Sequence, residues 1–274
     1  MFEGTVELPQ SLPHPSGAVV VTGSGGNGCG RAIAIRFARN FPVVVSDINE
    51  RGGQETVRLI EGTGGRAVFR RTDVSEENQT RALMEFTESE FGAVSVLVNN
   101  ASSPAPSGDG IGGWGPPLQT DLFGTINSTR FAIEAMRRQR AGSIVNMASI
   151  SALWHGRKTP GGFAGYDVAK AAVIRLTTVL AREVSANGIR INCLAPGWIA
   201  TDGPRQYWES LSSEQRAQRG VPSRLLAIED VAEMVYRIAT DDSLNGRIVI
   251  WWSEDTARLV EWGDRGYRDV IAED

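Results

Sequence analysis

Short runs of β-branched and apolar residues recur along the chain, separated by longer segments whose apolar positions return at helical spacing. Seven runs predict strands, at residues 18–22, 43–47, 67–70, 94–98, 143–147, 190–194 and 247–251. Each is close to continuously apolar, the pattern of a strand covered on both faces; a half-exposed strand would alternate. Helices are predicted to begin near Gly30, Gly53, Glu76, Pro117, Gly165 and Glu229, several behind capping types such as Asp73 to Ser75. Strand and helix in alternation, joined by right-handed crossovers, build an α/β protein with a parallel sheet between two helical layers. Residues 102–115 and 156–165 are rich in Gly, Pro and Ser and read as loops.

The length of 274 residues suits one large α/β domain, and no shift in composition marks a boundary. Residues 1–17, with three prolines, two glutamates and no apolar run, read as a polar leader and not a secretory signal. Residues 18–252 read as a single domain with a lid at about 202–224, and 253–274 as a C-terminal tail carrying Trp262 and Tyr267. A net charge of −4 and a pI near 5.4 argue against nucleic-acid and anionic-membrane partners, leaving a small molecule. The apolar runs are strand-sized, too short to span a bilayer. Cys29 and Cys193 are too few for a disulfide framework, which fits a cytoplasmic location. With only two histidines beside them, no metal site is expected.

Thr22-Gly23-Ser24-Gly25-Gly26-Asn27-Gly28-Cys29-Gly30 follows the first strand and runs straight into a helical pattern. Glycines allow a tight turn and close approach, and the free N–H groups of a helix start favour an anion, so a dinucleotide pyrophosphate is expected there. Asp47 closes the second strand where a carboxylate accepts hydrogen bonds from the adenosine ribose and repels a 2′-phosphate. Ile48 follows it, so NAD is expected over NADP, although Arg51 lies within reach. A strand-end turn or helix cap is the alternative role for Asp47. Asp73-Val74 and Asn99-Asn100-Ala101 also stand at strand carboxyl ends, where ligands of such sheets lie.

Tyr166 and Lys170 stack one helical turn apart. An ammonium beside a phenol favours the phenolate, bringing proton transfer nearer neutral pH than the ordinary tyrosine value of about 10 allows.

Taken in order, Thr22-Gly23 with Gly28 and Gly30, Asp73-Val74, Asn99-Asn100-Ala101, Ser149, Tyr166 with Lys170, and Pro196-Gly197 running to Thr201 resemble the short-chain dehydrogenase/reductase family across about residues 17–250. The resemblance implies a Rossmann-like three-layer α/β/α sandwich with a seven-stranded parallel sheet. It implies an oxidoreductase that interconverts a secondary alcohol and its ketone by hydride transfer with a nicotinamide cofactor. Carried over, Tyr166 is the acid/base, Lys170 lowers its pKa and bonds the nicotinamide ribose, and Ser149 holds the substrate oxygen, with Ser151 as a rival. Gly23, Gly25, Asn27, Gly28 and Cys29 surround the pyrophosphate. Asp73, Val74, Asn99 and Ala101 resemble the adenosine contacts, and Pro196, Gly197, Ile199 and Thr201 the nicotinamide contacts. A homotetramer is implied, a dimer being the runner-up, through the helices around 123–136 and 169–180.

Three departures stand out. Four residues separate Gly23 from Gly28 where the family usually has three, so a bulge is expected at Gly25-Gly26-Asn27. The loop between Ser149 and Tyr166 is longer than usual and carries Trp154, His155, Arg157 and Lys158. Asp121 replaces a common asparagine, with Asn127 as the alternative candidate for that position. An ionised Asp121 near Lys170 would stabilise the ammonium but oppose the tyrosinate, and it is expected to serve as a structural or relay group. A dinucleotide sensor without turnover is the second function class. A serine hydrolase is disfavoured, since no G-x-S-x-G elbow surrounds Ser149.

Overall fold

The computed structural model describes residues 17–104, 113–153, 163–261 and 263. β1 (Ala18–Thr22) lies inside the sheet and is buried along its whole length. Its side chains alternate between two cores. Val19 and Val21 join Ile33, Phe37 and Val235 on one face, while Ala18 and Val20 join Leu83, Phe131 and Ile144 on the other. Both faces are dry, so the run shows no polar alternation.

The first half continues through α1 (Cys29–Ala38), β2 (Val43–Asp47), α2 (Glu50–Glu61), β3 (Ala67–Arg71), α3 (Glu77–Phe91) and β4 (Val94–Asn99). The second holds a short α4 (Gly115–Pro117), a π-helical turn (Leu118–Phe123), α5 (Gly124–Gln139), β5 (Gly142–Met147), a 3-10 turn (Ile150–Leu153), α6 (Ala164–Val184) and β6 (Ile189–Pro196). It ends with α7 (Asp202–Glu209), α8 (Ser213–Arg219), α9 (Ile228–Thr240), β7 (Ile248–Trp251) and β8 (Arg258–Leu259).

The strand order is β3-β2-β1-β4-β5-β6-β7-β8. Strands β1 to β7 pair in parallel, and β8 adds antiparallel to β7. The expected seven-stranded sheet therefore gains an eighth strand of two residues, too short to leave a hydrophobic pattern. The chain steps outward from β1 to β3 and then returns to place β4 beside β1. That reversal opens a crevice at the strand carboxyl ends.

One local expectation is corrected. Asp73 to Ser75 do not cap α3, whose N-cap is Glu76 without a side-chain bond. Asp73 instead folds back on Ser75, accepting its N–H at 3.0 Å and its hydroxyl at 2.6 Å. The segment after Thr201 forms two helices, with Leu211 buried in the turn between them.

Candidate active site

The glycine turn is shaped by what crowds it. Gly23 has φ +66°, the left-handed region that favours glycine, and a methyl group there would lie 2.6 Å from the Ala101 Cα. A methyl on Gly30 would strike the Gly23 carbonyl and the Asn100 amide; one on Gly25 would come 2.8 Å from Asp47 Cβ. One on Gly28 would meet Thr201 Cγ2 at 3.5 Å. The ends of β1, β2 and β4 and the segment after β6 thus converge on one turn. α1 starts beyond Gly28 with no side-chain cap and no acidic residue in its first turn, so its N–H groups are open to an anion. A cradle of this build fits a dinucleotide pyrophosphate.

Gly26 and Asn27 are exposed, whereas Ser24 and Gly25 are buried, so the extra residue of the turn stands out where the bulge is expected. Asn27 is held by Arg31, whose guanidinium also donates to Thr56 Oγ1 at 3.0 Å and the Gly52 carbonyl at 3.2 Å. Asp47 accepts the N–H of Gly25 at 2.7 Å and that of Asn49 at 2.8 Å, so it both shapes the turn and faces the crevice edge beside exposed Ile48. Cys29 is buried, and burial pushes its thiol up to about 12.

The Asn-Asn-Ala segment divides its labour differently from the expectation. The Asn99 side chain turns into the interior, its amide donating to Thr129 Oγ1 at 2.9 Å and Asn146 Oδ1 at 2.8 Å. Asn100, which sequence reasoning left without a role, braces the glycine turn by donating to the Thr22 carbonyl at 3.0 Å and the Gly23 carbonyl at 3.1 Å. The N–H of Ala101 reaches Thr22 Oγ1 at 3.2 Å. Val74 is buried against Gly124, and its carbonyl accepts from Asn127 at 3.2 Å. Asn127, on α5, is thereby tied to the loop after β3, whereas Asp121 is the residue that stands beside Lys170.

Ser149 follows β5 and accepts the N–H of Ser151 at 3.2 Å. Ser149 and Tyr166 line a cavity of about 980 Å³ together with Ser151. One turn along α6, Lys170 Nζ lies 5.3 Å from the centre of the Tyr166 ring. It donates to the Met147 carbonyl at 3.0 Å and pairs with Asp121 Oδ1 at 3.0 Å, both charges being buried. Asp121 sits on the π-helical turn; its carboxylate also accepts the Ser102 hydroxyl at 2.5 Å and the Ser103 N–H at 3.0 Å. Its main-chain carbonyl accepts from Thr125 Oγ1 at 2.8 Å.

Desolvation pushes the Tyr166 phenol above the ordinary tyrosine value. Lys170 pulls it down as expected, yet Asp121 and Asp167 push it up again, so the expected net lowering is not found. Burial alone would lower Lys170, but Asp121 and Tyr166 override it and raise the ammonium's pKa.

Pro196 ends β6, and Gly197, Ile199 and Thr201 line the cavity beyond it. A methyl on Gly197 would come 2.8 Å from the Ser253 nitrogen, and Ser253 Oγ accepts the Trp198 N–H at 2.7 Å. Ser253 follows the Trp251-Trp252 pair and carries no sequence signal for this bracing role. Tyr207 of α7 stacks on Trp198 with ring centres 6.0 Å apart, and Phe163 and Trp252 add aromatic wall. Arg216 ties α7 and α8 together, lying 3.9 Å over the Trp208 ring and donating to the carbonyls of Trp208 and Leu211. Trp154, His155, Arg157, Lys158, Trp262 and Tyr267 lie outside the described residues.

The family model described as short chain dehydrogenase matches residues 17–211. The cis-4-hydroxycyclohexanecarboxylate dehydrogenase of Sinomonas cyclohexanicum is 33% identical over 81% of this chain and 88% of its own length. The 3beta-hydroxysteroid dehydrogenase 1 of Eggerthella lenta is 34% identical over 82% and 87%, respectively. The 3-oxoacyl-(acyl-carrier-protein) reductase of Escherichia coli is 30% identical over 88% and 92%. Among solved structures, levodione reductase superposes with a TM-score of 0.75 at 25% identity, covering 86% of this chain and 95% of that one. The chain belongs to the short-chain dehydrogenase/reductase family. It is an oxidoreductase of CH–OH or carbonyl groups, in a family that binds a nicotinamide dinucleotide.

Proposed function

We propose that the protein interconverts a secondary alcohol and its ketone with NAD. Ser149, Tyr166 and Lys170 carry the proposal: the first two line a cavity that Thr201 joins to the glycine cradle, and Lys170 is buried 5.3 Å from the centre of the Tyr166 ring. Gly23, Gly25, Asn27, Gly28 and Cys29 would hold the pyrophosphate, and Asp47 with Ile48 the adenosine ribose. Asp73, Val74, Ala101 and the main chain of Asn99 would border the adenosine, and Pro196, Gly197, Ile199 and Thr201 the nicotinamide. When bound, the dinucleotide exchanges a hydride with the substrate carbon. Ser149 holds the substrate oxygen and Tyr166 moves a proton at its Oη, while Lys170 supports the phenolate and the nicotinamide ribose.

NAD is favoured because the Asp47 carboxylate, at the end of β2, would repel a 2′-phosphate, and exposed Arg51 on α2 is the cation that would oppose this preference. A roomy cavity with several aromatic walls suits a ring-bearing substrate, and two of the relatives are named for ring-borne hydroxyl groups. A homotetramer is proposed from exposed Phe123, Val168 and Val179 on the helices of the second half; a monomer in light scattering at micromolar concentration would contradict it. Buried thiols at Cys29 and Cys193 accord with a cytoplasmic protein.

The test is NADH fluorescence titration followed by nicotinamide absorbance with cyclic and open-chain alcohols and ketones. Tyr166→Phe is expected to lower kcat by about 10²–10⁴-fold while NADH still binds. Binding without turnover in either direction would favour a dinucleotide sensor, and a preference for NADPH would overturn the cofactor assignment.

A further inference from the structure

Lys170 is the cation that faces Tyr166, and in this chain it does not act alone. An asparagine at position 121 would give the lysine a neutral acceptor, leaving the ammonium's field on the phenol intact. Asp121 gives it a full negative charge at 3.0 Å, inside a pocket where water does not screen either partner. The carboxylate also accepts from the Ser102 hydroxyl and the Ser103 N–H, which fix it beside the lysine. The phenol 5.3 Å from Lys170 therefore faces a neutralised pair and not an isolated ammonium.

We propose that Asp121 is a positioning residue whose pairing with Lys170 keeps Tyr166 a protonated acid through neutral pH. The site is thereby set to donate a proton to a carbonyl oxygen at neutral pH and to accept one from an alcohol only in alkaline solution. The other groups around Tyr166 do not reverse this balance. Asp167 on the same helix adds negative charge, Ser149 contributes a neutral hydroxyl, and the Cys193 thiol of β6 near Lys170 stays protonated to about 12. Arg216, Glu254 and Asp255 also line the cavity, adding one positive and two negative charges. The direction found for the phenol agrees, with Asp121 among its causes.

The proposal rests on Tyr166 as the acid/base, and its test separates the two ideas because it needs no turnover. The tyrosinate absorbance of the ligand-free protein is titrated with alkali, and the Tyr166→Phe protein is subtracted to isolate this phenol among four tyrosines. In the wild type, Tyr166 is expected to ionise above pH 10; ionisation below about pH 8 overturns the proposal without any Asp121 variant. In Asp121→Asn, or in Asp121→Ser if circular dichroism shows the amide variant misfolded, the ionisation is expected at least one pH unit lower. Asp121→Glu should restore the wild-type value. Superimposable titrations of the wild type and the neutral variant overturn the proposal. The ascending limb of the kcat/KM profile for oxidation, which reports loss of the proton from Tyr166, should move by the same interval. A moved titration with no turnover on any substrate would sink the enzymatic reading and leave the electrostatic one standing, whereas turnover with an unmoved titration would do the reverse.

Discussion

Gly30 and Gly26 lie in the same glycine turn but answer to different constraints. Gly30 packs against the Gly23 carbonyl and Asn100, so a side chain would have to displace backbone, whereas a methyl on Gly26 would meet nothing within 4 Å. Gly30→Ala is expected to weaken NADH binding at least tenfold in a fluorescence titration, and Gly26→Ala to leave it nearly unchanged. Equal effects would show that the turn is not set by this contact. Glycine spacing alone cannot rank the two positions, because the difference comes from how the turn folds back on Gly23 and from Asn100, just past the end of β4. The Asn99–Asn100 pair teaches the same point. Adjacent side chains point to opposite sides of an extended strand, and only the register of β4 decides which amide braces the turn and which enters the core. Tyr166 and Lys170 were legible because an interval of four residues brings groups together on a helix wherever that helix packs.

The lid shows what an element-level pattern does and does not carry. Tyr207, Trp208 and Leu211 fit a single helical face, yet the chain breaks between α7 and α8 and buries Leu211 in the turn. A signal for the break was present. Ser212 and Gln215 form a reciprocal capping box at the start of α8, the S-x-x-Q spacing of a helix N-terminus. Arg216 then clamps the pair through two carbonyls and the Trp208 ring. Arg216→Ala is expected to raise substrate KM several-fold with kcat little changed, and to speed chymotrypsin cleavage in the lid. Unchanged KM and protease resistance would remove the clamp from the account of substrate binding. The π-helical turn bearing Asp121 had no comparable signal in the sequence pattern.

Across the whole molecule, alkaline pH acts on several buried groups at once. Burial raises both thiols to about 12 from the ordinary 9.0, and Tyr166 and Lys170 also titrate above their usual values. In each case the folded state keeps a proton that the unfolded chain releases earlier, so the stabilising contribution is full below the unfolded pKa and is lost as pH rises through the folded one. Tm is expected to be insensitive to these groups below about pH 8.5 and to fall progressively towards pH 12. Cys193→Ala should flatten part of that fall in a calorimetric series; an identical slope would show that the thiol does not contribute. The sequence by itself determined the α/β class, the seven parallel strands, the glycine cradle after β1 and the tyrosine–lysine spacing, because hydrophobic period and short intervals are local properties of a chain. Only the tertiary structure decided the eighth strand, the inward turn of Asn99 and the burial of Asp121 against Lys170. These depend on strand register and on which distant segments share a dry interior, where a charge without a partner is too costly to leave unpaired.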